Sequence, residues 1–315
     1  MNILKFLFSN GTAGQTIAKN TFWLFFGQMT GRLLRAVIVI YAARILGVAS
    51  WGAFSYALGV AAFLTIFSDI GINALITKET SRNPELKNKY IATAFWTKLV
   101  LLTILIAGVA VAFPYLTNIP EAAAIMPILI FVFAFDTLRD LGSAISRSME
   151  KMEIESLIGA FTNLAIVILG IIFLILEPTS RALAYAYAAG SGLGLLAIWF
   201  VLRRQIGNFF TNFDRKLVKD ILLTAWPFGL MGLMGAINLN IDIIMVGWLG
   251  SATDVGYYSA AQKPVLLLYI LPTLLASSIF PVMARMAKIA PAIIVALLEK
   301  AIAGVILLAI PVVLI

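Results

Sequence analysis

Nine apolar stretches occupy almost the whole of this sequence. They run roughly over residues 21–45, 51–76, 90–113, 122–145, 154–176, 182–202, 221–249, 255–282 and 293–315. Each can cross about 30 Å of hydrocarbon at about 1.5 Å rise per residue. In such a solvent every backbone N–H and C=O must find a partner within the protein, which leaves only helices or a closed barrel. The stretches are continuously apolar rather than alternating with period two, so the pattern predicts helices. The expected fold class is an all-α integral membrane protein of about nine transmembrane helices.

Composition closes off the alternatives. The chain is 62% hydrophobic and 12% charged, against about 45–50% and about 25% in soluble domains. A water-soluble enzyme and a disordered chain are both excluded, since disorder needs low hydrophobicity and high charge. There is no Cys and no His. Thiol nucleophiles, thiolate metal sites and the commonest general base are therefore missing. No connecting loop exceeds about 20 residues, the length of one spanning helix, which leaves no room for a soluble catalytic domain. Neither an enzyme nor a cofactor is expected.

Orientation follows from the basic residues. With the N-terminus inside, the inner segments carry Lys5, Lys19, Lys78, Arg82, Lys87, Lys89, Arg147, Lys151, Arg203, Arg204, Arg215, Lys216, Lys219, Arg285 and Lys288, while the outer loops carry only Arg44 and Arg181. A ratio of 15 to 2 is the positive-inside asymmetry. It accounts for the net charge of +8 without a nucleic-acid partner. The expected location is the cytoplasmic membrane, multi-pass, with residues 1–19 as a cytoplasmic lead-in rather than a cleaved signal peptide. Trp23, Trp51, Trp96, Tyr115, Trp199, Trp226, Trp248, Tyr257 and Tyr258 fall near proposed helix ends, the place for interfacial anchoring.

The chain also repeats itself. Leu46-Gly47 followed by Gly52-Ala53-Phe54-Ser55 returns as Leu249-Gly250 followed by Gly256-Tyr257-Tyr258-Ser259, at offsets of 203 and then 204 residues. Six helices separate the copies, so both have the same orientation, as in the halves of many transporters. This predicts a six-helix lobe over residues 1–205 and the first three helices of a second lobe over 206–315. The chain ends on Val312-Val313-Leu314-Ile315 without a polar flank, the pattern expected of a truncated chain.

A charge at the bilayer centre costs at least about 2.5–3.5 kcal/mol, so each intramembrane charge needs a reason. Arg32 and Arg35 lie mid-helix, three residues apart and hence on one face. Asp69 and Lys98 lie about two turns from the ends of their helices. Asp136, Arg139 and Asp140 form an i, i+3, i+4 cluster, and Asp242 follows Asn238 and Asn240. One reading is internal neutralisation, Arg139 with Asp136 and Asp69 with an arginine of the first helix. The other is a water-filled cavity, for which Arg32 and Arg35 speak most, because no acid shares their helix. Gly27, Gly31, Gly229, Gly232 and Gly235 predict close helix packing. Pro127, Pro227, Pro264 and Pro272 predict interruptions.

The hairpin Ala43-Arg44-Ile45-Leu46-Gly47 with Trp51-Gly52-Ala53-Phe54-Ser55, then Asp69-Ile70-Gly71, then Arg147, Met149, Glu150, Lys151 and Met152, then Asp242, Gly250, Gly256, Tyr258 and Ser259 together resemble the polysaccharide-biosynthesis flippases, the Wzx-type exporters of O-antigen and related lipid-linked sugars. The resemblance implies the multidrug/oligosaccharidyl-lipid/polysaccharide (MOP) superfamily and a MATE-like bundle of two lobes around a cavity that opens alternately to each side. It implies movement of a polyprenyl-diphosphate-linked oligosaccharide to the outer leaflet for surface polysaccharide. The implied partners are that lipid-linked substrate, membrane lipids and a coupling ion, H⁺ or Na⁺. The candidate cavity residues are Arg32, Arg35, Asp69, Lys98, Asp136, Arg139, Asp140 and Asp242. The competing expectation is a multidrug or cation antiporter of the same superfamily, which would want acids where helix 1 offers two arginines.

Overall fold

The computed structural model describes residues 13–204 and 211–268, with two further helical residues, Glu299 and Ala303. Eight α-helices fill the described residues: α1 (Ala13–Asp69), α2 (Ile72–Arg82), α3 (Lys87–Leu116), α4 (Pro120–Ser148), α5 (Met152–Leu176), α6 (Ser180–Leu202), α7 (Arg215–Leu249) and α8 (Ala252–Leu268). A short 3₁₀ turn, Pro84–Leu86, joins α2 to α3. Six helices are long and apolar enough to cross a membrane: α1, α3 together with its lead-in turn, and α4 to α7. The chain is a multi-pass membrane protein. Residues Met1–Ala260 pack as one unit and Ala261–Ile315 as a second; the first holds α1 to α7 and the start of α8.

α1 turns back on itself at a single residue. Gly47 adopts φ 73°, ψ 173°, a region open essentially to glycine alone. Nothing lies within 4 Å of where a Cβ would stand, so the requirement is conformational and not one of crowding. The contacts show the fold-back. Along the first arm, Gly27 meets Ser156 and Ile38 meets Gly170, so this arm runs parallel to α5. Along the second arm, Ser50 bonds Glu121 and Ser68 bonds Thr137, so this arm runs parallel to α4. α4 and α5 are themselves a hairpin, turning at Met149-Glu150-Lys151, where Glu150 takes φ 56°. The two arms of α1 are therefore antiparallel, and chain ends alternate between the two faces as the hydropathy pattern predicts.

Several boundaries differ from expectation. The predicted stretch 51–76 is broken at Ile70 (φ 45°) and Gly71 (φ 82°), and α2 continues separately to Arg82. The apolar run Ile70–Ile76 hides this break; its cause is the close approach of α7. A Cβ on Gly71 would meet the Ala225 carbonyl and the Gly229 amide. α1 starts at Ala13, earlier than residue 21, and the buried Lys19 is part of it: its ammonium pairs with Glu153 at 3.1 Å and donates to the Glu150 carbonyl at 3.2 Å. α4 and α7 run unbroken through Pro127 and Pro227, so these prolines do not interrupt them. Apart from Glu299 and Ala303, the predicted stretch 293–315 lies outside the described residues, as do Pro272, Arg285 and Lys288. Trp23 and Trp51 are buried against neighbouring helices. Trp51 packs beside Phe54 in the core, because helix ends that pack on other helices bury their aromatics as any core does.

Among the described residues the buried apolar side chains gather in three clusters, two of them large. One gathers Ile38, Trp51, Phe54, Tyr56, Phe113, Ile125, Leu129 and Leu183; the other gathers Ile72, Ile76, Ile91, Leu141, Ile145, Ile198 and Ile221. Between them along α1, α3 and α4 lie the polar residues Ser68, Asp69, Thr97, Lys98, Asp136, Thr137, Arg139 and Asp140, beside a small apolar cluster of Leu102, Phe133 and Ala134. Glycines close the helix contacts: Gly59 meets Ile243, Gly232 meets Ile66 and Gly247 meets Tyr56, so α7 runs antiparallel to the second arm of α1 along its length. Of the five glycines singled out above, Gly27, Gly31, Gly229 and Gly232 do face another helix, while Gly235 has open space.

The repeat reappears in space. A Cβ on Gly52 would strike the Ala252 carbonyl and the Gly256 amide, and a Cβ on Gly256 would strike the Val48 carbonyl. Under the offset of 204 residues, Val48 corresponds to Ala252 and Gly52 to Gly256. The two contacts are therefore the same contact with the copies exchanged, as a pseudo-two-fold axis requires.

Candidate functional site

Arg35 leaves the middle of the first arm of α1 as an exposed side chain. Its Nε donates to Asn163 Oδ1 on α5 at 2.8 Å. Asn163 is in turn fixed, because its Nδ2 donates to the Gly159 carbonyl at 2.7 Å and its amide packs where Gly31 has no side chain. The acceptor is thus presented to Arg35 in one orientation. The Arg35 Nη groups have no hydrogen-bond partner among the described residues. Arg32, half-buried, is one turn away on the same face of α1.

Asp69 and Lys98 are brought together at the α1–α2 break. Lys98 is fully buried and its ammonium donates to Asp69 Oδ1 at 2.7 Å and to Asn73 Oδ1 at 2.9 Å. Asp69 Oδ1 also accepts from the Asn73 amide at 3.2 Å, spanning the break. The partner of Asp69 is therefore α3 and not an arginine of the first helix. On α4 the i, i+3 pair forms as its spacing suggests: Arg139 Nη1 lies 2.7 Å from Asp136 Oδ1, and Nη2 lies 3.5 Å from Asp140 Oδ1. Asp140 is the looser partner and is exposed. Asp242, expected as a cation or partner site, accepts a short hydrogen bond from the Tyr258 hydroxyl, which ties α8 to α7.

The candidates thus fall into separate groups. Arg35 bonds Asn163 rather than one of the acids; Asp69 goes with Lys98; Asp136 and Asp140 go with Arg139; Asp242 goes with Tyr258. Asn163 and Asn73 were missed in the sequence. Each is a lone amide in an apolar helical run, and that alone was the available signal. Among the described residues no group of three or more acids could hold a metal ion. Outside the spans, Ser251 and Asp254 cap α8 reciprocally. The Ser251 amide and hydroxyl donate to Asp254 Oδ2 at 2.8 and 2.7 Å, and the Asp254 amide donates back to Ser251 Oγ at 3.3 Å. These bonds hold the Asp254 carboxyl below its ordinary value.

The profile of the family described as polysaccharide biosynthesis protein matches residues 17–287. The chain belongs to the polysaccharide biosynthesis protein family. A Shigella flexneri protein named as an O-antigen transporter is 24% identical, with 84% of this chain and 66% of the relative covered. This chain thus spans just under two thirds of that relative's length. Among solved structures, a MOP superfamily transporter from Pyrococcus furiosus superposes with TM-score 0.63 at 17% identity, covering 98% of this chain and 71% of the other. An inward-facing multidrug resistance MATE family transporter of the MOP superfamily gives TM-score 0.66 at 17% identity, covering 88% and 67%. These likenesses show the MATE-like fold. Within this polysaccharide biosynthesis family fold, Arg35 lies on α1 and Asn163 on α5.

Proposed function

We propose that this polysaccharide biosynthesis family member is a transporter that moves a polyprenyl-diphosphate-linked oligosaccharide from the inner to the outer leaflet by alternating access, with residues 1–205 as one lobe and 206–315 as the beginning of the second. The N-terminus lies in the cytoplasm on this reading, and an ion gradient, H⁺ or Na⁺, drives the cycle. The observation that carries it is the exposed Arg35 guanidinium midway along an apolar helical stretch, held at Nε by Asn163 and, among the described residues, without a hydrogen-bond partner at its Nη groups. A fixed charge in hydrocarbon costs at least about 2.5–3.5 kcal/mol, and an anion delivered to it recovers that cost. A diphosphate suits it. The planar guanidinium offers two parallel donors to two phosphate oxygens, and Arg32, one turn away, supplies a second positive charge for the second phosphate. The prenyl tail stays in the bilayer while the head group crosses.

The competing reading, a cation antiporter, is disfavoured by the same residue. An unpartnered guanidinium repels a cationic drug, and the acids at Asp69, Asp136 and Asp242 are each engaged by a protein donor. The test is surface polysaccharide in cells that depend on a full-length homologue carrying these residues. Arg35→Ala with Arg32→Ala abolishes it at unchanged protein level, and Arg35→Lys, which keeps charge but loses the fork, restores it only in part. Normal polysaccharide in the double variant would sink the assignment.

A further inference from the structure

The bundle treats its cations in two ways. Lys98 meets Asp69 at 2.7 Å, Arg139 meets Asp136 at 2.7 Å, Lys19 meets Glu153 at 3.1 Å and Arg147 meets Glu155 at 2.7 Å. Each of these charges is neutralised by a carboxylate. Arg35 is treated otherwise. Its Nε donates at 2.8 Å to the side-chain oxygen of Asn163, a neutral amide. The bond is comparable in length to those ion pairs, so the side chain is held as firmly in place while its charge is kept.

Arg147 shows what an acid does to the guanidinium fork. Glu155 takes its Nε with one oxygen at 2.7 Å and its Nη2 with the other at 3.0 Å. An amide has a single acceptor oxygen, so Asn163 engages Nε alone and leaves the Nη edge of Arg35 open. The amide is also fixed in its orientation. Its Nδ2 donates to the Gly159 carbonyl at 2.7 Å. A flip would set the amide oxygen against that carbonyl and an N–H against the Arg35 N–H. Gly31 leaves the space the amide occupies, since a Cβ there would stand 3.1 Å from Nδ2. Gly31 on α1, with Gly159 and Asn163 on α5, thus presents one neutral oxygen to one nitrogen of Arg35.

We propose that Asn163 determines the charge selectivity of this site: it holds Arg35 without neutralising it, so the site takes a group with two adjacent anionic oxygens, and an acid at the same position would cancel that preference. The proposal rests on the reading of Arg35 as the head-group site and assigns its selectivity to a residue that need not touch the ligand. Asn163 acts through Arg35 and is a positioning residue. An aspartate has the same shape. It would keep the bond to Nε, take one Nη as Glu155 does on Arg147, and bring the pair to zero net charge. A diphosphate would then meet an occupied fork and a like charge beside it, and like charges brought together across an interface disfavour binding strongly.

The test uses the purified full chain in nanodiscs of zwitterionic lipid, with farnesyl diphosphate as the anionic probe and tetraphenylphosphonium as the cationic one. The wild type prefers the diphosphate. Asn163→Leu loses about tenfold in diphosphate affinity, because the guanidinium is no longer held. Asn163→Asp keeps the hydrogen bond that leucine loses, yet it loses about a hundredfold, and with it the preference over tetraphenylphosphonium. A merely structural role of residue 163 predicts the opposite order of the two variants. The salt dependence of the remaining diphosphate binding flattens in Asn163→Asp and stays steep in Asn163→Leu. Gly159→Asp adds an acid one turn away where a Cβ meets nothing within 4 Å, with the Asn163 side chain intact. It lowers diphosphate affinity about tenfold and carries the test if Asn163→Asp does not fold. Asn163→Asp binding the diphosphate as well as Asn163→Leu, or Gly159→Asp binding it as well as the wild type, overturns this proposal and leaves the reading of Arg35 standing. Equal diphosphate binding by the wild type and Arg35→Ala overturns both.

Discussion

The crossing of Gly52 and Gly256 makes a quantitative demand. A Cβ on either residue points at backbone atoms of the other copy: the Ala252 carbonyl and Gly256 amide in one direction, the Val48 carbonyl in the other. Backbone cannot swing aside as a side-chain tip can, so the helices must separate. Overpacking of this kind costs about 1–3 kcal/mol, while replacing a helical glycine by alanine gains about 1 kcal/mol of propensity. Gly52→Ala should therefore be neutral to about 2 kcal/mol destabilising. Gly108, helical and with nothing within 4 Å of its Cβ position, is the internal control. Gly108→Ala should stabilise by about 1 kcal/mol, so the gap between the two variants isolates the packing cost. Because the contacts are equivalent under the repeat, Gly256→Ala should match Gly52→Ala within about 0.5 kcal/mol. The double variant should cost less than the sum, by at least about 0.5 kcal/mol, since one separation relieves both clashes. Reversible unfolding in mixed micelles, followed by tryptophan fluorescence, measures all four. If Gly52→Ala stabilises as much as Gly108→Ala, or the two repeat variants add independently, the pseudo-symmetric contact is wrong.

Three further outcomes follow from single contacts. Asn163→Leu should weaken diphosphate-lipid binding about tenfold and cost about 1–3 kcal/mol of stability, because it removes two hydrogen bonds, to Arg35 and to the Gly159 carbonyl, and frees the guanidinium; titration calorimetry and thermal unfolding separate the two. Tyr258→Phe should cost about 1.5–3 kcal/mol by losing a bond to a charged acceptor, with exchange rising in α8 before α7. Asp254 is a carboxylate whose folded value is depressed, so its capping contribution is present above the ordinary carboxylate value and is lost as pH falls through the lower folded value. Amide protection at residues 251–255 should thus persist at neutral pH, fall only under strongly acidic conditions, and be absent at neutral pH in Asp254→Ala.

The sequence carried the helices because hydrocarbon demands long apolar runs, and it carried the repeat because Gly52 and Gly256 must both be small. It did not show the break at Gly71. An apolar run reads the same whether its backbone is helical or bent, and the reason for the bend lies on α7. Arg139 with Asp136 was legible because helical spacing alone brings them together. The partner of Asp69 was not, since Lys98 is 29 residues away and becomes its neighbour only when α3 packs beside α1. Asn163 was hidden for the same reason: its hydrogen bond reaches across 128 residues. The burial of Trp23 and Trp51 was not legible either, because hydropathy places residues in depth while burial against neighbouring helices is a lateral property.

The central claim is that the free end of Arg35 receives an anionic diphosphate head group. Its most direct measurement is equilibrium binding of a polyprenyl-diphosphate-linked oligosaccharide to the purified chain in nanodiscs of zwitterionic lipid, wild type against Arg35→Ala. The account predicts at least about a tenfold loss, as expected for one charge-assisted bidentate contact, and a marked weakening at high salt. Equal affinity of the two proteins, or a preference of the wild type for a cationic amphiphile over the diphosphate lipid, would contradict it.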